Sequence, residues 1–179
     1  MSATVKITPS TTMQEILQQY PAAQRALFRR YHVGGCSSCG FQPTDTLEQV
    51  CKSHNMLDIP EVIAHIEKSQ QLEEEVQISS QDLKAQLSSD KKLKLLDVRQ
   101  PHEAQICSLA GSILVDQEVA QDIMDNWPKD TPIVVYCHHG MRSMDAATWL
   151  IGHGFKNVKS LRGGIDHWAS TIEPSMRRY

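Results

Sequence analysis

Cys137 opens the run Cys137-His138-His139-Gly140-Met141-Arg142-Ser143, which follows the apolar, β-branched segment Pro132-Ile133-Val134-Val135-Tyr136 and precedes an amphipathic helical stretch. A cysteine at a strand-to-helix turn is placed to act as a nucleophile. Successive N–H groups of such a loop converge on the sulfur, and a helix starting near Ser143 adds the positive end of its dipole, so thiolate is favoured over thiol. Arg142 adds a cation. Most free cysteines merely pack as small hydrophobes. Here the glycine, the arginine and the helix start all fall where an anion cradle needs them. Cys137 is therefore the candidate nucleophile, and His138, His139, Gly140, Met141 and Arg142 are the candidate substrate-binding residues. Adjacent histidines on a bent loop are expected to point apart and to offer chiefly their backbone N–H groups.

A second group of thiols lies in Gly34-Gly35-Cys36-Ser37-Ser38-Cys39-Gly40, a CxxC in a glycine-rich turn, followed by Cys51 and His54 at helical spacing. Three readings compete. Cys36 and Cys39 form a dithiol that carries electrons or sulfur. With Cys51 and His54 they make a four-ligand metal or iron–sulfur site. Or the turn is only a loop and Cys51 is core. Five cysteines without disulfide-type spacing point to reduced thiols in any case.

The elements that must position Cys137 are legible in the apolar pattern. Short runs at Leu93–Leu96, Ser112–Val115, Ile133–Tyr136 and Asn157–Leu161 read as buried strands, alternating with helical stretches around Ser80–Leu87, Glu118–Trp127, Ser143–His153 and from Gly164. The last full helix carries Met144, Ala147 and Ile151 on one face, and Trp127, Trp149 and Trp168 read as packing aromatics. This alternation predicts an α/β domain over residues 76–179, an open parallel sheet flanked by helices with Cys137 at the carboxyl end of a strand. Residues 1–72 read instead as a small all-α domain. Thr12 with Glu15 starts one helix, Ala22–Tyr31 makes a second that ends at Gly34-Gly35, and Asp45/Glu48 or Thr46/Gln49 starts a third. Asp58, Pro60 and Glu61 start a fourth, with Val62, Ile63 and Ile66 on its face. The polar run Lys68–Glu75 reads as a helix end and linker.

The second half of the chain resembles a single-domain rhodanese, a thiosulfate-type sulfurtransferase, over roughly residues 76–172. Leu95-Leu96-Asp97-Val98-Arg99 with Glu103, Ala110-Gly111-Ser112, the Cys137–Arg142 loop, Gly154-Phe155-Lys156-Asn157-Val158 and Leu161-Arg162-Gly163-Gly164-Ile165-Asp166-His167-Trp168 carry the likeness in family order. One departure is Ser108-Leu109, preceded by Cys107, where the family commonly has His before Ile or Leu. Four residues separate Cys137 from Arg142, one fewer than in the related dual-specificity phosphatases, and the shorter loop suits one extra sulfur atom better than a phosphoryl group. The first half resembles the small helical domain at the front of di-iron proteins that repair iron–sulfur clusters, through Gly34, Gly35, Cys36, Cys39, Thr46, Leu47, Glu48 and Cys51.

The resemblance implies that Cys137 takes sulfane sulfur from a small-molecule donor, thiosulfate or a persulfide, and passes it to a thiol, cyanide or a protein acceptor, without cofactor or metal. The alternatives are a persulfide-sensing, redox-sensing or iron–sulfur-related binding module and, less in keeping with the loop, a phosphatase or arsenate reductase. A net charge of −3 and a pI near 6.2 give no basic stripe for nucleic acid. The longest apolar runs fall far short of the roughly 18 residues of a membrane span, and the first residues do not read as a secretion signal, so a cytoplasmic protein is expected.

Overall fold

Helices in the first part of the chain begin where the sequence supplies a cap. The computed structural model describes residues 6–34, 40–89 and 92–179, and the chain divides into two units, Met1–Glu75 and Val76–Tyr179. In the first unit, α1 (Met13–Gln19) starts from Thr12, whose hydroxyl accepts from the Glu15 N–H while the Glu15 carboxylate accepts from the Thr12 N–H. α2 (Ala23–Tyr31) closes on His32 in the left-handed conformation, φ 57°, before Gly34 is reached. α3 (Leu47–Ser53) uses the Thr46/Gln49 box, and Asp58 caps α4 (Ile59–Val76) through the Glu61 N–H. Their apolar faces meet in one core of Met13, Ile16, Ala23, Leu27, Leu47, Val50, Cys51, Val62 and Ile66.

Residues 68–75, expected as a helix end and linker, are helical throughout. Glu, Gln, Lys and Leu are strong helix formers, and this turn is held to α2. Arg25 pairs with Glu73, and the Ala22 N–H donates to Gln70 Oε1 at 3.0 Å.

The second unit runs β1 (Gln77–Ile78), α5 (Ser80–Ser89), β2 (Lys94–Asp97), α6 (Pro101–Ile106), β3 (Ile113–Leu114), α7 (Gln117–Asn126), β4 (Ile133–Tyr136), α8 (Met141–Gly152), β5 (Val158–Leu161) and α9 (Gly164–Thr171). The strands form one parallel sheet in the order β1-β5-β4-β2-β3. This is the α/β fold that the alternation predicted. Every residue of central β4 is buried, as a parallel strand covered on both faces requires. Val134 and Tyr136 join Leu83 of α5 and Ile165 and Trp168 of α9 on one face. Ile133 and Val135 join Ile123 of α7 and Ala147 and Leu150 of α8 on the other.

Some details differ from the sequence reading. β1 has two residues, too few for alternation to show, and α6 is an additional short helix, with Pro101 in its first turn behind a Gln100–Glu103 capping box. In α8 the inward residue is Leu150, whereas Ile151 and Trp149 face water, Trp149 against His153 with ring centroids 4.0 Å apart. Among the described residues no helix is long and apolar enough to cross a membrane.

The strand order reverses between β2 and β4: β3 lies outside β2 and β5 outside β4, so the connections leaving β2 and β4 diverge and open a crevice at their carboxyl ends. Beneath it the Tyr136 hydroxyl donates to Asp97 Oδ2 at 2.9 Å and accepts from the Leu109 N–H at 3.3 Å. Burial pushes the Tyr136 phenol up to about 12, so it keeps its proton. Tyr136→Phe removes the donor and leaves Asp97 short of one bond. The second unit should lose about 1–3 kcal/mol, read as a lower urea midpoint in tryptophan emission, since all three tryptophans lie in that unit. An unchanged midpoint would show the hydroxyl to be dispensable.

Candidate active site

Cys137 directly follows β4 and is 1% exposed. Its Sγ receives the Gly140 N–H at 3.2 Å and the Ser143 N–H at 3.4 Å. Gly140, at φ 93°, is the residue from which α8 starts, so the Ser143 amide is one of the first-turn donors that a helix leaves unpaired. The helix begins at Met141 rather than near Ser143, which places Arg142 in its first turn. Behind the sulfur stands a pair of buried hydroxyls. Ser143 Oγ lies 3.5 Å from Sγ and 2.8 Å from Ser160 Oγ of β5. Hydroxyl protons rotate to suit their neighbours. Facing a thiolate, Ser160 donates to Ser143 and Ser143 donates to sulfur; facing a thiol, both bonds reverse.

The loop is turned by what holds its carbonyls. Cys137 O accepts from the Ile165 N–H at 2.9 Å and His138 O from the Asp166 N–H at 3.1 Å, both donors in the first turn of α9. In a trans peptide the N–H points opposite the C=O, so the amides of His138 and His139 are directed away from α9. Gly164 makes this approach possible: at φ 61°, a Cβ there would stand 2.2 Å from His138 O and 2.4 Å from Cys137 O.

Charge around the loop is organised in pairs. Arg142 binds Glu103 with both arms, at 2.6 and 2.7 Å. The Glu103 carboxylate also accepts from the Gln100 N–H at 2.9 Å and the Tyr179 hydroxyl at 3.0 Å. The Arg142 guanidinium, with the Gln100 N–H and the Tyr179 hydroxyl helping, holds the Glu103 carboxyl well below the usual carboxylate range. Arg99, fully buried, pairs with Asp97 and donates to Cys107 O and the Tyr179 hydroxyl. Arg178 pairs with Asp166 at 2.8 Å. The two histidines do not point apart as expected. Their rings stack at 3.8 Å, and Tyr179 stacks on His138 at 4.2 Å, because the carbonyl anchors hold the loop in a bend that brings both rings to one side. Burial, then His139, lowers the His138 pKa, which favours a neutral ring.

The fold thus brings Cys137, His138, His139, Gly140, Met141 and Arg142 together, with Met141 half exposed on the first turn of α8. Cys36 and Cys39 lie outside the described residues. Cys51 is packed in the helical core, where burial pushes its thiol up, and His54 Nε2 lies 2.8 Å from Gly40 O. Among the described residues no three His, Cys, Asp or Glu side chains gather as a metal site. Ser160 and Tyr179 were not anticipated. Ser160 is signalled only as the polar residue at an inward position of Val158-Lys159-Ser160-Leu161, and Tyr179 by nothing local.

The profile of the family described as "Rhodanese-like domain" matches residues 79–171. Thiosulfate sulfurtransferase GlpE of Pseudomonas entomophila is 36% identical over 77 residues, covering 43% of this chain and 71% of that protein. Adenylyltransferase and sulfurtransferase UBA4 of Lodderomyces elongisporus is 30% identical over 173 residues, 89% of this chain but 38% of that protein. Among solved structures, reduced Bacillus anthracis CoADR-RHD superposes with a TM-score of 0.52 at 21% identity, covering 78% of this chain and 23% of that one, which speaks to fold alone.

Two outcomes follow from the geometry. Alkylation by iodoacetamide at pH 7 reads the thiolate: Ser143→Ala should slow labelling of Cys137 about three- to tenfold and Ser160→Ala by a smaller factor in the same direction, whereas equal labelling of all three proteins would show the hydroxyl pair to be mere packing. The Glu103 ion pair stabilises the second unit above the unfolded carboxyl pKa of about 4.3 and is lost as pH falls through the lower folded value. Tryptophan-detected melts of the second unit from pH 7 to pH 2 should therefore fall more steeply for the wild type than for Glu103→Gln; parallel curves would contradict this.

Proposed function

The chain belongs to the rhodanese-like domain family, and from that premise we propose that its Val76–Tyr179 unit is a sulfurtransferase in which Cys137 carries sulfane sulfur as a persulfide. The observation that carries the reading is the convergence of the Gly140 and Ser143 amides on a buried cysteine sulfur. Thiosulfate enters as donor from the name of the Pseudomonas relative, and a persulfide is the chemical alternative.

In the first half-reaction the Cys137 thiolate attacks the outer sulfur of the donor, forming a new S–S bond as the old one breaks. With thiosulfate, sulfite leaves with the bonding pair; with a persulfide, a thiolate leaves. In the second, a thiol, cyanide or a protein thiol attacks the outer sulfur of Cys137 and restores the thiolate. The intermediate is covalent, so the kinetics are ping-pong. The chain's own part is electrostatic. The amides of Gly140 and Ser143 and the Ser143 hydroxyl hold the inner sulfur, while the amides of His138 and His139 and the loop up to Arg142 face the donor and the terminal sulfur. No cofactor takes part in this cycle.

For the remainder of the chain the proposal is coarser. Residues 1–72 are read as a separate helical domain like that of the di-iron repair proteins, and Cys36 and Cys39 as a thiol pair that accepts sulfur or electrons. Reduced thiols would place the protein in the cytoplasm.

Incubation with thiosulfate followed by intact-mass measurement tests the reading. The wild type and Cys107→Ser should gain one sulfur atom and release it to cyanide as thiocyanate, and Cys137→Ser should do neither. Sulfur transfer persisting in Cys137→Ser would overturn the assignment.

A further inference from the structure

A guanidinium in the first turn of α8, within electrostatic reach of Cys137, would by itself draw anionic donors to the loop. In this chain it does not stand by itself. Both arms of Arg142 are engaged by Glu103 at 2.6 and 2.7 Å, with the carboxylate largely shielded and further fixed by the Gln100 amide and the Tyr179 hydroxyl. We propose that Glu103 determines donor selectivity: by cancelling the charge of Arg142, it turns the Cys137 site away from dianionic thiosulfate and towards persulfides, whose transferred end carries at most one charge. This rests on the sulfurtransferase reading and names its substrate class.

The neighbouring groups agree. Arg99, the other cation beside Glu103, is fully buried and neutralised by Asp97, and Arg178 is neutralised by Asp166. Arg177 lines the crevice beside His138 and Tyr179 but is exposed to water, where its charge is screened. His138, whose charged form is disfavoured by burial, adds an uncharged face, and with His139 and Tyr179 it makes a stack of three flat rings at the rim. Thiosulfate leaves as sulfite, so two negative charges must be accommodated beside Arg142 and, within the same ion pair, beside the Glu103 carboxylate. A persulfide R–S–S⁻ transfers its outer sulfur to Cys137 and leaves as R–S⁻. One charge enters with it and one departs, and the R group is free to lie on the ring stack.

The test compares single-turnover loading of Cys137, followed by intact mass in the full chain, with thiosulfate and with glutathione persulfide as probes. Glu103→Gln keeps the shape and the hydrogen-bonding arm but frees the Arg142 charge. Thiosulfate loading should rise about tenfold at low ionic strength, the gain should shrink with added salt, and persulfide loading should stay within about twofold. Arg142→Met added to Glu103→Gln should remove the gain, because the pair is then uncharged as it is in the wild type. Unchanged or slower thiosulfate loading by folded Glu103→Gln would overturn the proposal while leaving sulfur transfer intact. A gain that survives Arg142→Met in the Glu103→Gln background would do the same, since it could not then come from the charge of Arg142. If neither donor loads the wild type, the sulfurtransferase reading falls, and this inference with it.

Discussion

Two carbonyl oxygens, those of Cys137 and His138, are tied to the first amides of α9, and the orientation of the loop follows from them. A strand-to-helix turn of this length can present either its oxygens or its N–H groups to the space above the sheet. With the oxygens claimed by α9, the donors are turned away from it, and α8 adds its own unpaired amide at Ser143. Two helix N-termini thus act on one loop. α8 offers its positive end to the sulfur and α9 offers its own to the carbonyls. The arrangement needs β5 beside β4, because α9 follows β5 through Arg162 and Gly163, and it needs no side chain at Gly164, where a Cβ would collide with both oxygens.

A second layer fixes what surrounds the loop. Asp97 at the end of β2 holds Arg99 in a pair with no solvent exposure, and the remaining Arg99 donors reach Cys107 O, Glu103 O and the Tyr179 hydroxyl. Such a pair adds little net stability, because desolvation of both charges offsets their attraction. Its effect is positional: it joins the end of β2 to the last turn of α6 and to Tyr179, and thereby sets where the Glu103 carboxylate stands relative to Arg142.

Much of this was legible in the sequence. The central strand Ile133–Tyr136 is a continuous apolar run, Leu95-Leu96 marks the middle of β2, and the Cys137-to-Arg142 spacing announces an anion cradle before any coordinate is known. Local signals also located α1 and α3 through their Thr-led capping boxes. What stayed hidden is non-local. The pairing of Arg142 with Glu103, thirty-nine positions away, and the placing of Tyr179 over His138 depend on how helices and strands pack, which no local period encodes. The segment 68–75 departs from its sequence pattern for a different reason: its composition is polar enough for a linker, yet all its residues except Ser69 are good helix formers, and the Ala22 N–H and Arg25 supply partners for Gln70 and Glu73.

The near-complete burial of Cys137 has a consequence for what can reach it. A thiol at the floor of a cradle resists disulfide formation with any folded surface, since exchange requires a second sulfur to approach in line to about 2 Å. It is likewise shielded from bulky oxidants that would carry a thiolate on to sulfinic acid. Adding one sulfur atom moves the reactive end outward by one S–S bond length, from the floor of the cradle towards its rim. On the sulfurtransferase reading the same residue would be a guarded thiol when empty and an accessible electrophile when loaded, with depth below the surface separating the two states.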